Sequence, residues 1–312
     1  MNRTSVSIVI PCYNVEQFVE QAINSAQSQT YSIDQIICVD NESTDSTLDV
    51  LNSLKSKFDI TVVREQKRGA PTARNTGWRM CDSDWIQFLD ADDILNPSKI
   101  EHQISLINSS TDVPFVASRT IKRSVETGEE KDWHVHHQPW HGLLQNKLGI
   151  TSANLYSRRF LDLVNGWKEE LESSQEYDLM FRMMRLSDKV IVDNAHPLSI
   201  IRSRSEGSIS AQNIKENKHR FLRLMSEIGE YLKTEKPEIY SELDDEFFQD
   251  MFIRIRLNTI DGGSNSSYFF KQLIPPGFTP KVHEFTPKWF KGIMRIFGFG
   301  VADKIQAFRR RF

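Results

Sequence analysis

From Val6 to Leu89 the chain alternates short apolar runs with stretches of helical spacing, which leaves few folds open. Val6-Ser7-Ile8-Val9-Ile10 reads as a buried strand ended by Pro11. Val15, Phe18, Val19, Ala22, Ile23 and Ala26 then fall on one helical face. Ile36 to Val39 is a second strand, followed by a helix with Leu48, Leu51 and Leu54 inward. Ile60 to Val63 is a third, and a helix over about Pro71 to Met80 leads to the strand Trp85 to Leu89. Strands and helices at this spacing build βαβ units, so the fold class is α/β with a mostly parallel sheet flanked by helices.

In such sheets ligands bind beyond the carboxyl ends of the strands. Cys12-Tyr13-Asn14, Asp40-Asn41 and Asp90-Ala91-Asp92-Asp93 all fall there. A strand alternates its side chains, so Asp90 and Asp92 are expected to project to the same side. Two converging carboxylates need a cation, and Mn²⁺ or Mg²⁺ prefers oxygen ligands that it can share with phosphate. The plainer alternative is that these acids cap the next helix, near Asn96-Pro97. Pro11-Cys12-Tyr13-Asn14 replaces the G-x-G-x-x-G of a dinucleotide site, and no P-loop pattern occurs. A nucleotide held without a glycine-rich loop needs an aromatic, an acid for the base and a metal for the phosphates.

Four motifs occur in order: Val9 to Asn14, Val39 to Asp45, Gly69 to Asn75 and Leu89 to Asp93. Together they resemble the family 2 glycosyltransferases with the GT-A fold. The likeness is specific over about residues 5–100 and looser to about 210, through Gly166-Trp167 and Gln175-Glu176-Tyr177-Asp178-Leu179. It implies that Pro11, Tyr13, Asp40, Arg74, Asp90 and Ala91 form the nucleotide-sugar site. Tyr13 would pack on the base, Asp40 would accept its N–H, and Arg74 would orient the acidic loop or touch the diphosphate. Asp92 would hold Mn²⁺ or Mg²⁺. Glu176 would be the general base of an inverting displacement, with Asp178, a candidate acceptor or diphosphate contact, next in line for that role but more in keeping with a structural helix contact. Where the family often has Arg-x-His, this chain has Arg202-Ser203-Arg204, so Arg204 stands in place of a histidine ligand as a candidate diphosphate contact. The implied reaction moves a sugar from a nucleotide-sugar, of the UDP type, to a glycan or lipid-linked acceptor in surface polysaccharide or glycolipid synthesis. The alternative is a non-catalytic nucleotide-sugar-binding or scaffolding relative.

The domain reading places the glycosyltransferase domain at 1–210 and a helical C-terminal extension at 211–312. Trp133-His134-Val135-His136-His137-Gln138-Pro139-Trp140-His141 is expected as a loop over the acceptor side, where Trp133 or Trp140 could stack on a sugar. His134 and His136 would make a candidate metal pair if that stretch were a strand. Thr151 to Tyr156 reads as a strand, Glu176 to Leu186 and the chain from Gln212 as helices, and Gly262 to Ser267 as a loop.

The three cysteines, Cys12, Cys38 and Cys81, make no C-x-x-C pair, which suits a reducing cytosol. No secretory signal or membrane span is evident, so the expected place is cytoplasmic, peripheral on the inner face of the membrane. Net charge is −3, but residues 271–312 hold nine Lys/Arg and two acidic residues, net +7, which leaves −10 on residues 1–270. Trp289, Phe290, Ile293, Phe297, Val301, Ile305 and Phe308 keep helical spacing among these cations, the pattern of an interfacial helix on an anionic membrane or of one docked on the protein's own body. An acidic body argues against nucleic acid.

Overall fold

The computed structural model describes residues 3–107, 112–204, 213–261 and 265–309. The chain divides into two compact units, Met1–Ser208 and Ile209–Phe312.

Unit 1 opens with β1 (Val6–Cys12), α1 (Val19–Gln27), β2 (Gln35–Asp40), α2 (Thr47–Leu54), β3 (Thr61–Arg64), α3 (Ala70–Arg79), β4 (Trp85–Phe88), the short β5 (Ile94–Leu95) and α4 (Lys99–Leu106). It continues through β6 (Phe115–Ser118), β7 (Thr120–Ser124), β8 (Glu130–Trp133), α5 (Pro139–Leu144), β9 (Leu155–Ser157), α6 (Arg158–Leu163), α7 (Gln175–Met184), β10 (Ile191–Asp193) and β11 (Ser199–Ser203). The main sheet has seven strands in the order β10-β6-β9-β4-β1-β2-β3. β1 pairs in parallel with β2 and β4, β2 with β3, and β6 with β10. Among the described residues of this sheet, only β9 runs antiparallel, between β4 and β6. A second sheet of four strands has the order β5-β11-β7-β8. The mixed α/β architecture, with its large and mostly parallel sheet, is the one expected.

The core lies between β1, β2, α1 and α2, where Ile8, Ile10, Val19, Ala22, Ile23, Cys38 and Leu51 are fully buried. These are the residues whose spacing marked the elements. α3 comes unusually close to the sheet: a Cβ on Gly77 would lie 2.3 Å from Val9 Cγ1, so the helix needs glycine there.

Three local expectations are corrected. The stretch Trp133–His141 is not one loop, because Trp133 ends β8 and Pro139 starts α5. Only Leu155 onward of the 151–156 run joins the sheet; Thr151 to Ala153 form a turn. Of the expected loop at 262–267, Gly262, Gly263 and Ser264 lie outside the described residues, and Ser266 already starts a helix.

Unit 2 is helical: α8 (Ile214–Glu235), α9 (Pro237–Ser241), α10 (Asp245–Ile260), α11 (Ser266–Leu273), α12 (Lys288–Phe297) and α13 (Phe299–Arg309). On α8, Leu222, Met225, Ile228 and Leu232 are buried, as their spacing requires. Among the described residues no helix is long and apolar enough to cross a membrane.

Candidate functional site

The carboxyl ends of β1, β2 and β4 converge in unit 1, and side chains from the loops beyond them lock to one another. Asn14 accepts a hydrogen bond from the Thr44 N–H at 2.8 Å, and the Val15 N–H donates to Thr47 Oγ1 at 2.8 Å. The loop after β1 is thereby fastened to the loop after β2. Asn41 does the same for the next loop, donating to the carbonyls of Glu65 and Lys67 and accepting from the Gly69 N–H.

Tyr13 is exposed beyond β1, with the Arg68 guanidinium 5.5 Å from its ring centroid. Pro11 is a half-buried member of β1. Asp40, the last residue of β2, is fully buried and neither of its carboxylate oxygens accepts a hydrogen bond. Its ion-pair partner, Arg64, stands off with Nε at 3.7 Å and is itself mostly exposed. A buried carboxylate without a donor is costly, which is the state expected of a group that awaits one from a ligand.

The acidic run is a turn and not a strand continuation: the Asp93 N–H donates to the Asp90 carbonyl at 2.8 Å. Strand alternation therefore does not explain how its side chains point. The turn instead hands each acid to a different partner. Asp90 accepts from Arg74 at 2.7 Å, Asp92 pairs with Arg204 at 2.7 Å, and Asp93 accepts from Ser152 Oγ at 2.6 Å and from the Arg202 N–H at 3.0 Å. Ser152 Oγ also accepts the Asp90 N–H at 3.0 Å. Ala91 is buried beneath the turn. Burial, and then the Asp90 charge, push the Asp92 carboxyl up, while Arg204 opposes the shift. Asp93 is pushed well up by burial first and by its two acidic neighbours next.

Such a crowded set of oxygen donors suits a divalent cation. Among the described residues no group of three or more His, Cys, Asp or Glu gathers as a full metal shell. An ion at Asp92 would take its remaining ligands from a diphosphate and from water.

Arg74 connects this turn to the far side of the site. Buried on α3, it donates to Asp90 and, at 3.0 Å, to Gln175 Oε1, with its guanidinium 4.6 Å from the Trp167 ring centroid. Gln175 opens α7 and Glu176 follows in its first turn, where the helix dipole favours a negative charge. Burial raises the Glu176 carboxyl above its usual range; its own backbone N–H and the charges of Arg74 and Lys122 pull it down, and Asp90 pushes it up. Lys122 of β7 lies 3.5 Å from the Trp133 ring centroid. Burial lowers its ammonium, and the Glu176 charge opposes that shift.

Asp178 belongs to the framework: it is buried, with Lys168 and Arg182 each at 2.7 Å. Trp140 is corrected from a stacking surface to a buried residue packed edge-on against Phe181, with centroids 6.4 Å apart. Trp133 stays half-buried near Lys122. His134 and His136 do not form a metal pair. His134 faces Asp132 at 3.5 Å, whereas His136 hydrogen-bonds Gln138 and stacks on His137 at 4.6 Å. Sequence reasoning missed Ser152, Arg202, Lys122 and Asn75. Arg202 shared a tripeptide with Arg204 and Asn75 closed the Gly69 to Asn75 motif, so both carried a signal; Ser152 and Lys122 had none.

The family model described as glycosyl transferase family 2 matches residues 7–203. An uncharacterized glycosyltransferase of Rickettsia conorii is 30% identical over 196 residues, 59% of this chain and 32% of that protein. An Escherichia coli protein named UDP-Glc:alpha-D-GlcNAc-diphosphoundecaprenol beta-1,3-glucosyltransferase is 36% identical over 104 residues, 33% of this chain and 41% of its own. The chain spans about a third of the length of the first curated relatives it matches. In fold it is similar to S. aureus TarS 1–349 in complex with UDP-GlcNAc, at a TM-score of 0.63 and 13% identity over 98% of this chain and 92% of that one. It is also similar to a mannosyltransferase of Pyrobaculum calidifontis in complex with GDP-Man and Mn²⁺, at a TM-score of 0.53 and 14% identity over 98% and 88% of the two chains.

Proposed function

The chain belongs to glycosyl transferase family 2, and from that premise we propose that it moves a sugar from a UDP-sugar to a glycan or lipid-linked acceptor with inversion at the anomeric carbon. The observation that carries this reading is the double contact of Arg74, which bonds Asp90 of the acidic turn and Gln175 beside Glu176. It joins a phosphate-facing group of acids to a candidate base within one site.

Asp40 takes the base N–H once Arg64 is displaced from over it, and Tyr13 supplies the stacking face. Asp92 would hold Mn²⁺ or Mg²⁺, which when bound would supply charge neutralisation for the departing diphosphate. Arg204, released from Asp92, donates to a phosphate oxygen. Glu176 takes the proton from the acceptor hydroxyl as that oxygen attacks C1. One base and no covalent intermediate suffice. The E. coli relative's printed name specifies a diphosphoundecaprenol-linked acceptor, and a lipid-linked acceptor here would put the protein on the inner face of a membrane as a peripheral enzyme in surface polysaccharide or glycolipid synthesis.

Calorimetric titration of UDP, GDP and dTDP, with and without Mn²⁺, into wild type and Asp92→Asn tests the donor site. Metal-dependent binding of UDP, lost in the variant, is the expected result. Binding of a nucleotide without any transfer from its sugars would favour the non-catalytic relative. No nucleotide binding at all would sink the enzyme reading and leave a scaffolding relative as the better account.

A further inference from the structure

The expected single interfacial helix is broken, and the break sorts its apolar residues into two sets. Gly298, at a φ of 82°, separates α12 from α13. Phe290 and Phe299 turn inward to an aromatic cluster on Phe252, at 6.4 and 5.9 Å, and Phe299 stacks on Phe270 at 4.4 Å. Arg256, fully buried, hydrogen-bonds Asp303 and Gln306 and so fixes the inner face of α13. The rest of the pattern stays outside. Val301, Ile305 and Phe308, one α13 face at i, i+4 and i+7, are 42%, 37% and 65% exposed, and Ile296 and Phe297 at the end of α12 are 73% and 64% exposed.

Lys288, Arg295, Lys304 and Arg309 are exposed on the same two helices. Arg310 and Arg311 follow in the sequence, outside the described residues. The segment 271–312 is net +7 on a chain whose remainder is −10. A water-facing surface gains nothing from five exposed apolar side chains, while exposed cations on the same helices match an apolar layer under anionic headgroups.

We propose that the outer face of α13, with Ile296 and Phe297, docks on an anionic lipid surface. It lies on that surface and does not cross it, since α13 has 11 residues and none of the described helices could span a membrane. The proposal deepens the lipid-linked acceptor reading, but its readout uses no sugar, so the two can fail separately.

The test is co-sedimentation of the full chain with vesicles of phosphatidylcholine alone and of phosphatidylcholine mixed with phosphatidylglycerol. Two variants accompany it: Ile305→Glu with Phe308→Glu, and Lys304→Glu with Arg309→Glu. All four side chains are exposed, and unchanged thermal melts would verify the fold. Wild type should sediment with the anionic vesicles only, and each variant should bind roughly tenfold or more weakly. Absence of wild-type binding, or equal binding by the apolar variant, overturns the proposal. So does concentration-dependent self-association of wild type that the apolar variant abolishes, since a second copy would then cover the face.

Discussion

Glu176 is held between opposing influences, and these make its proposed role testable. Burial and Asp90 favour its neutral form, while Arg74 and Lys122 favour the carboxylate. A general base works only when ionised, so activity should fall as pH drops through its pKa. Removing the Lys122 charge removes one of the cations that hold that pKa down. Lys122→Met should therefore move the acid limb of the kcat profile to higher pH and leave activity at alkaline pH near wild type. An unmoved limb would mean that Lys122 does not act on the base. Glu176→Gln should abolish transfer by about 10²-fold or more while leaving UDP affinity nearly unchanged; retained transfer would place the base elsewhere. Asp40, Asp90 and Asp92 could be picked out from the sequence because acids at the carboxyl ends of strands have few other reasons to be there, whereas Arg74 and Glu176, both on helices, were marked by the family resemblance alone. Lys122 could not, because a lone lysine in a half-exposed strand looks like any solvated one.

At the scale of elements, the site depends on a loop that carries no chemistry. Asn75 of α3 accepts the Trp167 N–H at 2.9 Å and donates to its carbonyl at 2.8 Å, which sets the indole against Arg74. Gly166 makes this possible: its φ is 64°, and a Cβ there would lie 2.5 Å from Asn75 Oδ1 and 2.7 Å from Trp78 Nε1. Gly166→Ala combines a left-handed backbone penalty with overpacking, and should cost about 2–4 kcal/mol in denaturant unfolding. A loss below about 0.5 kcal/mol would show that the loop yields freely. Asn75→Ala should lower transfer while sparing metal-dependent UDP binding, since it loosens Arg74 through Trp167 and leaves Asp92 alone. The Gly-Trp pair was visible in the sequence. So was Asn75, at the end of the Gly69 to Asn75 motif, but not their pairing, because ninety-odd residues separate Asn75 from Trp167.

For the whole molecule, donor binding and folding are linked. UDP with Mn²⁺ at a hundredfold excess over its Kd should stabilise the chain by about 2.7 kcal/mol, seen as a higher unfolding midpoint of the unit holding the site. Asp40→Asn should remove most of that shift, and a shift kept intact would take Asp40 out of the binding site. The sequence by itself determined the alternation of strands and helices, the mostly parallel sheet, the acids at its carboxyl edge and the uneven charge, because these depend on local periodicity and on residue type. The tertiary structure alone decided the rest. It turned the acidic run into a turn clamped by Ser152, paired Asp92 with Arg204, buried Trp140, broke one apolar helical stripe at Gly298, and left some of its residues packed and others exposed on both sides of the break. Those outcomes depend on which distant segments meet, and periodicity along a chain says which face of an element is apolar without saying what will cover it.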